Sequence, residues 1–147
     1  MIEFLLAGIP LLLLMLAIVQ LSLLWAGKSA VDTAAHLASR KFARGARADF
    51  RRAREMAFLE AFQVCRNRPG GSFGSTAMTA LDVTKDGEQG ANRADAGEAL
   101  CVRLTHGVEL VVPWIDRLLF ALSPWKKIRL GDHYYLMMQS TRWVTVE

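Results

Sequence analysis

The residues from Phe4 to Ala26 carry no formal charge and form one apolar run, with a single carboxylate, Glu3, at its mouth. As a helix these 23 residues would extend roughly 35 Å at 1.5 Å per residue. The hydrocarbon core of a bilayer is about 30 Å thick, so the run is long enough to cross one. Gln20 and Ser22 are its only polar side chains, both near the far end. A cleaved secretory signal fits badly. No Lys or Arg precedes the run, and it outlasts the roughly 7–15 apolar residues of such a signal. Pro10 lies inside the run and cannot donate to the carbonyl four residues back, which predicts a local kink. Lipid-embedded helices tolerate such a break when neighbours help.

The helical pattern continues beyond the membrane length. Val31, Ala35, Ala38, Phe42, Ala46, Ala53 and Ala57 recur at helical spacing on one face. Arg40, Arg44, Arg47, Arg51 and Arg54 recur on the opposite face. Between Lys28 and Val64 only Gly45 opposes a helix, at a cost of about 1 kcal/mol, and Pro69-Gly70-Gly71 is a clear stop. The expectation is one helix from Ile2 to Arg66, divided into a transmembrane part (1–27) and an amphipathic extension (28–66). A head domain (67–147) follows.

The head reads as small and α+β. Residues 68–97 are rich in Gly, Ala, Ser, Asp and Asn and predict a long loop, with one short strand over 80–84. ALCVRL (99–104) and VELVV (108–112) read as a hairpin turning at Thr105-His106-Gly107. WIDRLLFAL (114–122) reads as a helix, and residues 134–139 and 142–146 as two further strands. The fold class is therefore α+β: a long N-terminal helix carrying a small head with an antiparallel sheet. The apolar stripe beyond Val31 gives that head a surface to pack on. Trp114, Trp125, Trp143, Tyr134 and Tyr135 read as head core, or as an exposed patch over residues 114–125 facing a neighbour or the membrane interface.

Candidate chemistry is sparse. Cys65 and Cys101 stand in no CxxC or Cys/His spacing. In an oxidising compartment they would form one disulfide closing a long loop; otherwise they are two unrelated buried thiols. His36, His106 and His133 lack metal-ligand spacing. The Gly70–Ser75 segment lacks the lysine of a P-loop, and Ser72, Ser75 and Ser140 sit in no nucleophile motif. No enzyme, cofactor or metal is expected. The arginine face reads as solvated, or as a contact to acidic patches or lipid on neighbouring subunits. Nucleic acid is not expected, because no recognised binding module accompanies it.

The string Glu3-Phe4, the apolar run with Pro10 and the Leu-rich sequence to Trp25 together resemble the start of a class IV pilin. They are most similar to the TadE-like pseudopilins of the tight-adherence (Flp, type IVb) pilus. Those chains read V-E-F-A-x-x-x-P-x-L-L-L-L, followed by a helical segment with Ala and Arg. The resemblance covers about the first 45 residues, and the head is similar only in kind. It implies a minor pilin-like subunit acting in filament assembly, initiation or tip capping, and in surface adhesion. Its partners would be other pilins or pseudopilins through helix bundling, an inner-membrane assembly platform, membrane lipid, and a prepilin peptidase if a leader precedes Glu3. Glu3 would then pair with the N-terminal amine of a neighbouring subunit. The alternative is a single-pass, membrane-anchored periplasmic binding or scaffold protein that never polymerises.

Topology is read from two opposing signals. Lys28, Arg40, Lys41 and Arg44 follow the run, which by the positive-inside rule draws the head toward the cytoplasm. Only Lys28, offset by Asp32, lies close to the span, and the resemblance and the cysteine pair both suit a periplasmic head. The expectation is a single-pass inner-membrane protein with its head in the periplasm, later at a pilus or cell surface.

Overall fold

The computed structural model describes residues 2–68, 71–85, 88–89 and 93–147, without the side chains of 2–7 and 88–89. The first helix, α1, spans Ile2–Gly45 and continues through Pro10. Its 44 residues make it about 66 Å long. It does not run on to Arg66. The chain turns over residues 46–49 and a second helix, α2 (Phe50–Arg66), folds back along α1.

Stop and start signals at this turn account for the difference. Gly45 weakens the last turn of α1, and the Ala46 N–H still donates to Phe42 O at 2.9 Å. Asp49 then caps α2, its carboxylate accepting from the Arg52 N–H at 3.0 Å. Burial supplies the driving force. A straight helix would leave Ala53, Ala57, Ala61 and Cys65 in water, whereas the hairpin buries them against Val31, Ala34, Ala35, Ala38 and Phe42. These are small side chains, so the helices approach closely. A Cβ at Gly45 would stand 3.1 Å from the Ala53 Cβ. Phe42 and Phe50 meet edge-on across the turn, with ring centroids 5.2 Å apart.

The head is a five-stranded antiparallel sheet in the order β2-β1-β3-β5-β4. Its strands are β1 (Ala80–Lys85), β2 (Glu88–Gln89), β3 (Ala99–Leu110), β4 (Lys127–Leu130) and β5 (His133–Thr145). Two short helices, α3 (Phe73–Ala77) and α4 (Ile115–Leu122), complete it. The α+β architecture, the strand beginning at Ala80 and the helix ending at Leu122 match the reading of the sequence. The hairpin at Thr105-His106-Gly107 does not exist, because β3 runs straight through it and pairs with β5 along its whole length. Residues 134–146 likewise form most of one strand and not two. Gly107 serves close packing instead of a turn: a Cβ there would lie 2.9 Å from Met78 Sδ. The expected loop after Arg68 contains α3, which is fixed by a Ser72–Ser75 capping box.

Alternate residues of β3 face opposite sides of the sheet. Leu100, Val102, Leu104, Val108 and Leu110 join Leu136 and Met138 of β5 in the core with α1 and α2. His106 belongs to the same face and is fully buried. Its Nε2 accepts from Arg68 Nε at 3.1 Å, which leaves the Nδ1 proton to be donated to Thr79 Oγ1 at 2.8 Å. The imidazole is thus neutral. Burial first, and the nearby Arg68 charge second, push its pKa down to about 4. The unfolded chain titrates near 6.5, so it binds more protons between those limits, and stability is full above them and falls as the pH drops. Melting in detergent is expected to lose about 2 kcal/mol of stability between neutral pH and pH 5. His106→Gln should flatten that dependence.

Candidate functional site

The part of α1 that could contact other molecules is the part its own head leaves bare. From Ile9 to Val19 the large side chains are exposed on nearly every side of the helix. At Gln20 this changes. Gln20, Leu24, Gly27 and Val31 follow one another at helical spacing and are buried beneath the head, while Leu21 and Trp25 on the opposite side stay exposed. Among the described residues, this helix is the one segment long and apolar enough to cross a membrane, and it is a candidate membrane anchor.

The junction is built by three contacts. Gln20 is fully buried, and its Oε1 accepts the N–H groups of Val111 at 3.1 Å and Val112 at 2.8 Å. These are the first two donors beyond the end of β3. Gly27 lets the sheet approach, since a Cβ there would meet Val108 and Arg68 Nη1 at 3.0 Å. Lys28 donates to Asp32 Oδ1 at 2.9 Å and to Gln139 O at 3.0 Å, tying α1 to β5. Burial raises the Asp32 pKa, but hydrogen bonds from Lys28 and Ser140 and the charges of Lys28 and Arg142 outweigh it and hold the carboxyl below its ordinary value.

Beside this junction lies α4. Its N-cap is Trp114, which has φ 72° and ψ −46°, an unfavourable backbone for a bulky side chain. Ile115 is buried, and Leu119 and Phe120 pack on the core, with Phe120 against the Tyr134 ring at 4.8 Å. Trp114, Leu118, Leu122 and Trp125 face outward and are exposed. The reading of Trp114 and Trp125 as head core is therefore corrected: both lie at the surface, as does Trp143.

The other residues singled out from the sequence are dispersed. Glu3 lies in the first turn of α1, and its side chain falls outside the described residues. Pro10 is within α1. Arg40 and Arg44 are near the end of α1, Arg47 is in the turn, and Arg51 and Arg54 open α2. The chain reversal gathers these exposed arginines at the tip of a hairpin, not along a straight stripe. Arg54 donates to Leu81 O at 3.3 Å.

The expected disulfide is absent, and both cysteines are free thiols. Cys65 packs among the helices on the core face of the sheet. Cys101 pairs across strands with Thr84 and Trp143, one residue out of phase with Leu100 and Val102, and so faces the other side. The sheet separates them. Burial first pushes the Cys65 thiol up to about 11, so it is a poor nucleophile. Gln20 and Gly27 were not singled out as site residues. Gln20 was detectable in principle, because a polar side chain inside a membrane-length run requires a partner.

Residues 1–40 match the family described as TadE-like protein. The chain is TadE-like at its N-terminus. The match ends inside α1, beyond Gln20 and Gly27 and before the hairpin turn. No curated protein matches the chain, and no solved structure does.

Two outcomes are expected. Gln20→Leu strands two backbone donors, each costing about 1–3 kcal/mol. The head should melt earlier in detergent while membrane insertion persists, as read by circular dichroism and carbonate extraction. A maleimide–polyethylene glycol reagent added after denaturation without reductant should shift the band by two labels. A shift seen only after reduction would establish the disulfide.

Proposed function

We propose that this chain is a membrane-anchored, pilus-associated subunit that acts in filament assembly. The observation that carries the reading is the apolar half of α1, TadE-like in sequence and uncovered by its own head. A long helix clad on one side at its far end and bare before it suits two successive environments. Lipid surrounds it before assembly, and the helices of neighbouring pilins surround it afterwards.

In this reading Glu3 sets register. A carboxylate drawn into a helix bundle is costly unless paired, and the N-terminal amine of a neighbouring subunit supplies a partner of opposite charge. Because such a pair is strongest at one separation, it selects one axial offset between helices. The division of the chain into a span (1–27), its extension (28–66) and a head (67–147) is retained functionally, although a turn interrupts the extension. The head lies in the periplasm, presented by the assembly platform and later at a filament end or cell surface, where capping and adhesion fall to it. Processing by a prepilin peptidase belongs to this reading wherever a leader precedes Glu3.

The arginine cluster acts at the far end. Gly45 lies about 28 Å beyond Ala26 along the helix at 1.5 Å per residue. For a helix near the membrane normal, Arg40, Arg44, Arg47, Arg51 and Arg54 stand clear of the headgroups. Acidic surfaces of neighbouring subunits are the partners that suit them.

Glu3→Ala is expected to leave the protein in the membrane fraction and to reduce its amount in sheared filaments by about tenfold or more, the effect of losing one buried charge partner. Immunoblots of both fractions read the outcome. Undiminished incorporation of the variant would remove Glu3 from assembly. Absence of the wild-type chain from filaments would favour a resident membrane scaffold.

A further inference from the structure

We propose that the outer edge of α4 is a second membrane contact. In this arrangement Trp114, Leu118, Leu122 and Trp125 are seated in the interfacial layer of the bilayer that α1 crosses. The inference rests on the reading of α1 as a membrane span.

Length is the first argument. A hydrocarbon core of about 30 Å takes up about 20 helical residues. Counted from Phe4, the residue after the charged Glu3, the far boundary falls near Leu23. Gln20 therefore lies at or just within that boundary, and it is hydrogen-bonded to Val111 and Val112, immediately before α4. The head is held to the helix at a depth where its nearest edge must meet lipid.

That edge has the required chemistry. Trp114, Leu118 and Leu122 repeat every four residues on the outer side of α4, and Trp125, also exposed, follows just beyond the end of the helix. Trp114 is 80% exposed and Leu122 73%. On the inner side Ile115 is buried and Leu119 packs against the core. Trp25 on α1, 81% exposed, lies one helical turn and a residue beyond Gln20 and adds a third indole near the same level. Indoles concentrate where hydrocarbon meets headgroups. Charge agrees as well. Arg117, Lys126 and Lys127 are exposed near the edge and outnumber the one carboxylate of α4, Asp116, while Arg129 pairs with Asp132 at 3.9 Å; the excess of basic groups suits lipid phosphates. Lys127 also caps α4, donating to Phe120 O at 2.7 Å.

The backbone of Trp114 is the independent sign. A left-handed φ on a tryptophan is unfavourable, yet the residue it turns outward is four-fifths exposed. Contact with lipid gives that conformation a compensating interaction.

The test uses full-length single-tryptophan variants, the other three indoles replaced by Phe, in phosphatidylcholine–phosphatidylglycerol vesicles. Fluorescence is quenched from within by brominated acyl chains and from the aqueous side by iodide. The Trp114-only and Trp125-only proteins should be quenched by bromine at least about twofold more than the Trp143-only protein, and iodide should show the reverse order. Leu118→Asp with Leu122→Asp, both at the surface, should abolish the bromine quenching with an unchanged circular dichroism spectrum. Iodide-accessible Trp114 and Trp125 beside a bromine-quenched Trp25 would overturn the proposal and leave the membrane span intact. Shielding from both quenchers that disappears as protein is diluted in lipid would also overturn it, in favour of a second copy of the chain. Failure of the wild type to resist carbonate extraction would remove the span itself.

Discussion

The N–H groups of Val111 and Val112 emerge at the end of the longest ladder in the sheet, β3 with β5, beside a largely apolar stretch of α1. Gln20 accepts both. Without it, two donors would face hydrocarbon side chains or lipid, where nothing accepts them. With it, the position of the sheet along α1 is fixed. Gly27 and Lys28 follow on the same stretch of helix, one admitting Val108 and the other holding the backbone of β5. Head and helix are therefore packed together from Gln20 onward.

Small residues extend that body outward. Ala34, Ala35 and Ala38 of α1 and Ala53, Ala57 and Ala61 of α2 are all buried. Alanine supplies little apolar area per residue, so the hairpin depends on close backbone approach and on the larger side chains of β3 packed beneath it. The reversal also relocates charge. Arginines that would run along a straight helix are concentrated at one exposed tip, remote from the apolar half of α1.

How much of this was legible varied by element. The long apolar helix at the N-terminus, the strand at Ala80 and the helix at 115–122 were legible because long runs and strong periodicity decide them locally. The turn at residues 46–49 was signalled by Gly45 and Asp49, but the alanine periodicity on either side outweighed those cues. A 3.6-residue pattern cannot report whether two helical segments are collinear or antiparallel. Thr105-His106-Gly107 looked like a turn because a polar pair precedes a glycine. It is strand because His106 is satisfied by Arg68 and Thr79, and because Gly107 makes room for Met78. Those partners are distant in sequence, and no local pattern contains them. The cysteines failed for a similar reason, since which face of a sheet a residue occupies depends on strand register. Gln20 was visible as a polar residue, but its acceptor role needed the end of β3 beside it.

On the proposed reading as a filament subunit, the same geometry would constrain assembly. The head is bonded to α1 at Gln20, so an α1 seated in a bilayer could not leave it without withdrawing the head's lower edge as well. If α4 rests in the interfacial layer, extraction moves Trp114, Leu118 and Leu122 from lipid to water together with the leucines of α1. Both surfaces would be unfavourable in water and both must be covered again in a filament. A neighbouring subunit that covers only the helix would leave the indole edge bare. In that reading a productive neighbour would meet a composite surface, made of the bare face of α1 and the outer side of α4 at its shoulder. Helix register and head orientation would then be selected together, because Gln20 couples the two surfaces rigidly.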